Sequence, residues 1–140
     1  MKDVILFKIA AWMTFVLAIG HILCMPWLDK AFELYGIEGV MNQISAINIY
    51  LPYIITIIIA ICFALCGFYA LSAAGNIRRL PMLWLGVFTI AGIFLFRTGI
   101  GCFWMLINGT YPLTDLSSVV VSGSMGLLFF IGGVLRLKNK

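Results

Sequence analysis

Two side chains in this sequence combine chemical reactivity with an apolar setting: Arg97 and His21. Arg97 lies in the second half of segment 81–106, which is long and apolar enough to cross a bilayer. An arginine near the bilayer centre costs about 2.5–3.5 kcal/mol on insertion scales, so it requires a partner or a route to water. Arg97 therefore marks a candidate binding site, where its forked guanidinium would hold an anionic or carbonyl head group.

His21 closes the first apolar segment at a similar membrane depth. At about 1.5 Å per residue, Arg97 lies roughly 24 Å from the start of its segment and His21 about 25 Å from the start of its own. Because both segments are predicted to run outward, we expect one polar cavity in which His21 offers a proton or a hydrogen bond. Asp115 and Trp104, near the outer interface, complete the predicted ligand-binding set.

A structural role is the alternative for both residues. Arg97 would then extend to the outer head groups, or pair with a carboxylate of Asp115 or of loop 29–38. His21 would bond a backbone carbonyl on a packed helix face.

Cys24 and Cys102 are redox candidates, because both fall near the outer side, where a disulfide could form or exchange beside a quinone. At about 100° per residue, however, Cys102 points roughly 140° away from Arg97 on a helix, so one narrow site does not easily use both. Cys62 and Cys66 are interpreted as packing residues. The four cysteines lack CxxC or Cys/His metal spacing, so we predict no metal site.

The composition requires that these side chains lie in a membrane. Hydrophobic residues make up 64% of the 140 residues and charged residues 10%, a balance that a water-soluble domain could not keep off its surface. Four apolar runs of spanning length fall at about 4–24, 52–74, 81–106 and 115–135. They predict an all-α membrane protein with a single integral domain, 1–140.

Positive charges orient the four helices. Seven of the nine fall on the same side of the predicted helices, while Lys30 lies in the opposite loops and Arg97 lies within a helix; the seven are Lys2, Lys8, Arg78, Arg79, Arg136, Lys138 and Lys140. The positive-inside rule then places both termini in the cytoplasm and predicts an antiparallel bundle of four transmembrane helices. The expected partner of the net charge of +4 is the anionic membrane surface rather than nucleic acid.

The first outer connection, 25–49, predicts a short helix lying on the membrane. Leu28, Phe32 and Tyr35 fall on one side of it. Gly36 and Gly39 are expected to end it.

Small residues recur at helical spacing and predict close packing between helices. These stripes are Ala10, Thr14 and Ala18 in the first helix, Cys62, Cys66, Ala70 and Ala74 in the second, and Ser118, Ser122 and Gly126 in the fourth. Pro81 is expected to open the third helix, and Thr114 or Asp115 to cap the fourth.

The stretch LFKIAAWMTFVLAIGH, followed by a polar loop with Met41 and Asn42, resembles a group of small uncharacterised bacterial four-helix membrane proteins. Their first helix likewise ends in Gly-His, here Gly20-His21, and the group is distantly similar to the DoxX-like proteins. The resemblance implies a bacterial inner-membrane location and, for the DoxX-like relatives, quinone-linked redox work. No catalytic residue is carried over.

Three functional hypotheses follow. The first is a binding role, in which the outer site around Arg97 and His21 holds the head group of a lipid, isoprenoid or quinone, or a polar segment of a partner subunit or second copy. The second is a quinone-linked thiol or sulfur redox protein using Cys24 and Cys102. The third is a small-solute transporter. Binding is favoured over an enzyme, because His21 is the only proton carrier that the sequence offers.

Overall fold

A computed structural model describes residues 2–139 of the chain. All secondary structure within this range is helical. The elements are α1 (Lys2–Leu23), α2 (Leu28–Leu34), α3 (Glu38–Ile47), α4 (Leu51–Ala74), α5 (Leu83–Asn108) and α6 (Leu113–Lys138), with a 3-10 turn at Met25–Trp27. Lys140, one of the positive residues used to predict the orientation, lies outside the described residues.

Four of the helices, α1, α4, α5 and α6, are long and apolar enough to cross a membrane. This confirms the prediction that the described residues are all-α and include four long apolar helices of spanning length. The bounds differ most in α6, which begins two residues earlier than predicted and continues through Lys138.

The four long helices form a closed ring. α1 packs against α4 and α6, and α5 packs against the same two helices, so α1 and α5 occupy opposite corners. The main core cluster joins the early parts of α1 and α5 to the late parts of α4 and α6; it includes Phe7, Ala10, Ala70, Val87, Ala91 and Phe129. The most tightly packed region therefore lies at the end of the bundle where α1 begins.

The stripes of small residues mostly face neighbouring helices as predicted. Ala10, Thr14 and Ala18 are buried, and so are Ser122 and Gly126. In α4 the prediction is wrong for Cys62, which is exposed. Steps of four residues turn a helix by about 40° beyond a full circle, so three steps from Ala74 rotate Cys62 well away from the packed face.

The connection between α1 and α4 holds two short helices instead of the one predicted. Gly36 adopts a φ of 65° after α2, as expected of a residue that ends a helix. Gly39 does not end a helix, because it lies in the first turn of α3. The partly buried side of α3 is formed by Met41, Ile44 and Ser45, at the three- and four-residue spacing of one helix face.

Two predicted helix starts are also wrong. Pro81 and Met82 form a turn, and α5 begins only at Leu83, because Met82 has a left-handed backbone with a φ of 49°. The Tyr69 hydroxyl donates a hydrogen bond of 3.3 Å to the Pro81 carbonyl and joins this turn to α4.

At the start of α6, Pro112 is extended and the helix begins directly after it, at Leu113. Thr114 and Asp115 therefore lie within the first turn and do not cap the helix. The Asp115 carboxylate still suits this position, where the helix dipole favours negative charge.

Candidate functional site

The seam between α5 and α6 brings their backbones close together because α6 carries glycines there. A Cβ added to Gly126 would lie 2.8 Å from side-chain atoms of Leu95 and 3.1 Å from its backbone nitrogen. A Cβ added to Gly123 would lie 3.3 Å from the Thr98 methyl. Such close contact fixes the two helices against each other along the flank of the site.

A cleft of about 390 Å³ opens beside this seam. The α5 residues Ile93, Phe96, Ile100 and Trp104 supply apolar lining, and the polar groups are those of Arg97, Asp115, Ser118 and Ser122. Phe96 and Trp104 are 72% and 63% exposed, so this side of the cleft opens on the lateral surface of the bundle, away from its core. The site is an apolar groove with a few charged and hydroxyl groups along one edge.

Arg97 lies near the middle of α5 and is exposed in the cleft. Its Nη2 donates a hydrogen bond of 2.6 Å to the hydroxyl oxygen of Ser118 on α6. Within residues 2–139, no carboxylate forms an ion pair with the Arg97 guanidinium; the ion pair seen there joins Arg136 to Asp3. A hydroxyl is neutral, so the contact with Ser118 orients the guanidinium but does not neutralise its charge.

A guanidinium has five N–H donors, and the contact with Ser118 uses one of them. The remaining donors suit a planar or tetrahedral oxyanion, which Arg binds through two parallel hydrogen bonds. Asp115 lines the same cleft, three residues before Ser118 and thus on the same face of α6. The cleft therefore presents a positive group and a negative group that are not paired with each other.

His21 lies elsewhere. Its Nδ1 is 2.8 Å from the carbonyl oxygen of Leu17, and its ring centroid is 5.1 Å from that of Phe63 on α4. Phe63 in turn stacks on Phe94, one turn before Arg97, so His21 and Arg97 do lie at similar levels. The structure brings Arg97, Trp104 and Asp115 together in one cleft but does not include His21 in its lining.

The structure contains no disulfide between Cys24 and Cys102. All four cysteines are free. The Cys24 thiol donates a hydrogen bond of 3.1 Å to the His21 carbonyl, and Cys102 is exposed on α5. No group of three or more His, Cys, Asp or Glu side chains suited to a metal ion occurs in the part of the chain that the structure describes.

Two interactions were not predicted from the sequence. Ser118 was assigned only to a packing stripe, although it contacts Arg97. Arg136 Nη1 donates a hydrogen bond of 2.8 Å to Oδ2 of Asp3, which joins the end of α6 to the start of α1. The signal for this pair was available, since Asp3 is the one acidic residue among the positive residues of the predicted inner side.

A second concavity, of about 480 Å³, lies at the other end of α5 and is lined by residues 79–85 alone. It is formed by a single turn of chain and its charged lining residue is Arg79, whereas the α5–α6 cleft combines two helices and both signs of charge. The latter is the better candidate site.

Comparison of the chain with family models, with curated proteins and with solved structures finds no match. The chemistry of the α5–α6 cleft is therefore the basis for a function.

Proposed function

We propose that this chain is a small multi-pass inner-membrane protein whose α5–α6 cleft binds the polar head group of a lipid-like amphiphile. In this proposal α1, α4, α5 and α6 form an antiparallel transmembrane bundle with both termini in the cytoplasm. The short helices α2 and α3 then lie at the outer surface, and the cleft opens towards the outer half of the membrane.

One observation carries the proposal: the positive charge of Arg97, in the middle of a helix of spanning length, is held by a neutral hydroxyl. An intramembrane arginine that served only the scaffold would be expected to have a carboxylate partner, because an uncompensated charge is costly in an apolar environment. An anionic head group entering the cleft would supply the missing counter-charge.

The shape of the cleft supports an amphiphile over a small polar solute. Ile93, Phe96 and Ile100 continue along α5 on either side of Arg97, so chains attached to a bound head group would meet apolar surface. Trp104 lies further towards the outer end, and tryptophan is enriched where a membrane meets water.

The orientation is supported by the positions of the positive residues. Lys2 and Lys8 lie at the start of α1, Arg78 and Arg79 in the turn before α5, and Lys138 in the last turn of α6. The positive-inside rule places these segments on the cytoplasmic side.

The test is thermal unfolding of the purified protein in detergent, with and without added native lipid extract. A ligand that binds only the folded protein stabilises it by about 2.7 kcal/mol at 100 times its dissociation constant. We expect lipid to stabilise the wild-type protein and not Arg97→Gln, while the lipid-free variant unfolds at or above the wild-type temperature. Arg78→Gln, which removes an equal charge from an exposed position outside the cleft, should respond to lipid as the wild type does.

Native mass spectrometry of gently purified Arg97→Ala and wild-type protein gives an independent readout. Equal lipid retention by the two proteins would show that the cleft is not the binding site. A large loss of stability of lipid-free Arg97→Gln would also count against the proposal, because it would mean that Arg97 is part of an internal ion pair.

A further inference from the structure

We infer that the amphiphile bound in the α5–α6 cleft carries an ammonium group next to its phosphate, as phosphatidylethanolamine does. The inference rests on the proposed function and adds the chemical class of the head group. Its basis is the second charged residue of the cleft, Asp115. A purely anionic ligand would offer no positive group to the carboxylate of this residue.

The two charges of the cleft are separated along the membrane normal. Arg97 reaches Ser118, and Asp115 precedes Ser118 by three residues on α6, which corresponds to about 4.5 Å along the helix axis. Both side chains line the same cleft without forming an ion pair. The guanidinium therefore lies about one helical turn deeper than the carboxylate, if α6 begins at the outer surface.

A phospholipid with ethanolamine presents its charges in the same order. When its head group is extended along the bilayer normal, the phosphate is the deeper group, the ammonium lies further out, and the two-carbon spacer separates them by a length similar to one helical turn. The phosphate would accept hydrogen bonds from Arg97, and the ammonium would donate to the Asp115 carboxylate. Both charges of the protein and both charges of the ligand are then compensated, which removes the cost of leaving any of them alone in an apolar groove.

Other head groups satisfy the cleft less well. Phosphatidylglycerol would leave Asp115 next to an anion without a cation between them. The quaternary ammonium of phosphatidylcholine has no N–H to donate, although the face of Trp104 could attract it. We therefore expect phosphatidylethanolamine to bind most tightly, phosphatidylcholine less tightly and phosphatidylglycerol least tightly.

The experiment measures the binding of three short-chain lipids, the dioctanoyl forms of phosphatidylethanolamine, phosphatidylcholine and phosphatidylglycerol, by their effect on the unfolding of the full chain in detergent. For the wild type we expect a preference of about tenfold for ethanolamine over glycerol, the size of one charge-assisted hydrogen bond. Asp115→Asn should bind the two lipids about equally. Asp115→Glu, which retains the charge, should keep most of the preference.

Asp29→Asn is the matched control, because it removes the same charge from an exposed position in α2. It should leave the preference unchanged. Free phosphoethanolamine, added at the same concentration as the lipid, should not compete with it, because the groove contributes through the acyl chains. If free phosphoethanolamine displaces the lipid when the two are present at equal concentration, the ligand is a free phosphoethanolamine compound and not a lipid.

The inference is overturned if wild-type protein binds phosphatidylglycerol as tightly as phosphatidylethanolamine, or if Asp115→Asn keeps the ethanolamine preference. Either result leaves the proposed function standing, provided that Arg97→Gln still abolishes binding of all three lipids. If Arg97→Gln instead binds all three as the wild type does, the proposed function itself fails.

Discussion

Two arginines at α6 differ in whether a carboxylate neutralises them: Arg136 belongs to the helix, and Arg97 of α5 contacts it. Arg136, in the last turn of α6, donates to the carboxylate of Asp3, whose side chain is 2% exposed. Arg97, in the middle of α5, donates to the hydroxyl of Ser118 in an open cleft. A guanidinium that already has a buried carboxylate belongs to the scaffold, whereas one held by a neutral group keeps its charge available for a ligand.

The surroundings of the two arginines differ in the same way. Next to Asp3, the start of α1 contributes Phe7 to the core cluster. The Phe7 ring packs edge to face against Phe129 of α6, with 6.4 Å between the ring centroids. Arg97 instead has exposed Ile93 and Phe96 as its neighbours. The side chains around the Asp3–Arg136 pair are therefore part of the buried core, whereas those around Arg97 are exposed.

The largest effect should come from Arg136→Gln. This change removes the half-buried guanidinium from the buried Asp3 carboxylate, and loss of one partner from a charge pair that is buried on one side is destabilising. We expect the unfolding midpoint in detergent to fall by several degrees or more, with part of the loss restored in the double variant Asp3→Asn, Arg136→Gln. Lys138→Gln in the same helical turn is the control. An Arg136→Gln protein as stable as this control would contradict the contrast between the two arginines.

An intermediate effect is expected for Gly126→Ala, which adds a methyl group where Leu95 leaves no room. Overpacking of this kind costs typically about 1–3 kcal/mol, and it would separate α5 from α6 next to the cleft. Gly99→Ala is the matched control, since nothing lies within 4 Å of its Cβ position. This change should instead stabilise α5 by roughly 0.5–1 kcal/mol because alanine favours the helix. Equal unfolding free energies for the two variants would show that the seam is not closely packed.

The four spanning helices could be predicted because hydropathy and charge are properties of the residues themselves. The presence of Arg97 and Asp115 in one cleft was also predicted from the sequence, and the short connection 109–112 is consistent with it because it makes α5 and α6 neighbours. What could not be predicted was which helices lie at opposite corners of the ring. Every long helix except α5 offered a stripe of small residues, and such stripes do not specify their partners.

His21 illustrates this limit. Its depth was predictable by counting residues along α1, but its direction depends on the rotation of α1 against α4, where Phe63 receives the imidazole. The second short helix, α3, was missed for a different reason: Gly39 was interpreted as a helix terminator, although a glycine in a first turn costs a helix little.

The smallest effect should follow from His21→Phe. The new ring can keep the contact with Phe63, and the lost hydrogen bond to Leu17 within one helix costs less than about 1 kcal/mol. Lipid stabilisation should match that of the wild type, because His21 is not part of the cleft lining. If His21→Phe loses its stabilisation by lipid as completely as Arg97→Gln is expected to, His21 and Arg97 belong to one binding site.

The ion pair between Asp3 and Arg136 also bears on the order of assembly during synthesis. Its two residues are 133 positions apart, so Asp3 has been synthesised long before Arg136 is made. The pairs α1–α4 and α5–α6 join consecutive long helices and can form early as local hairpins. The contact of α1 with α6 at this end has to wait for the final turn of α6. The joining of α1 to α6 by these two charges is therefore a later step than the formation of the two helical hairpins.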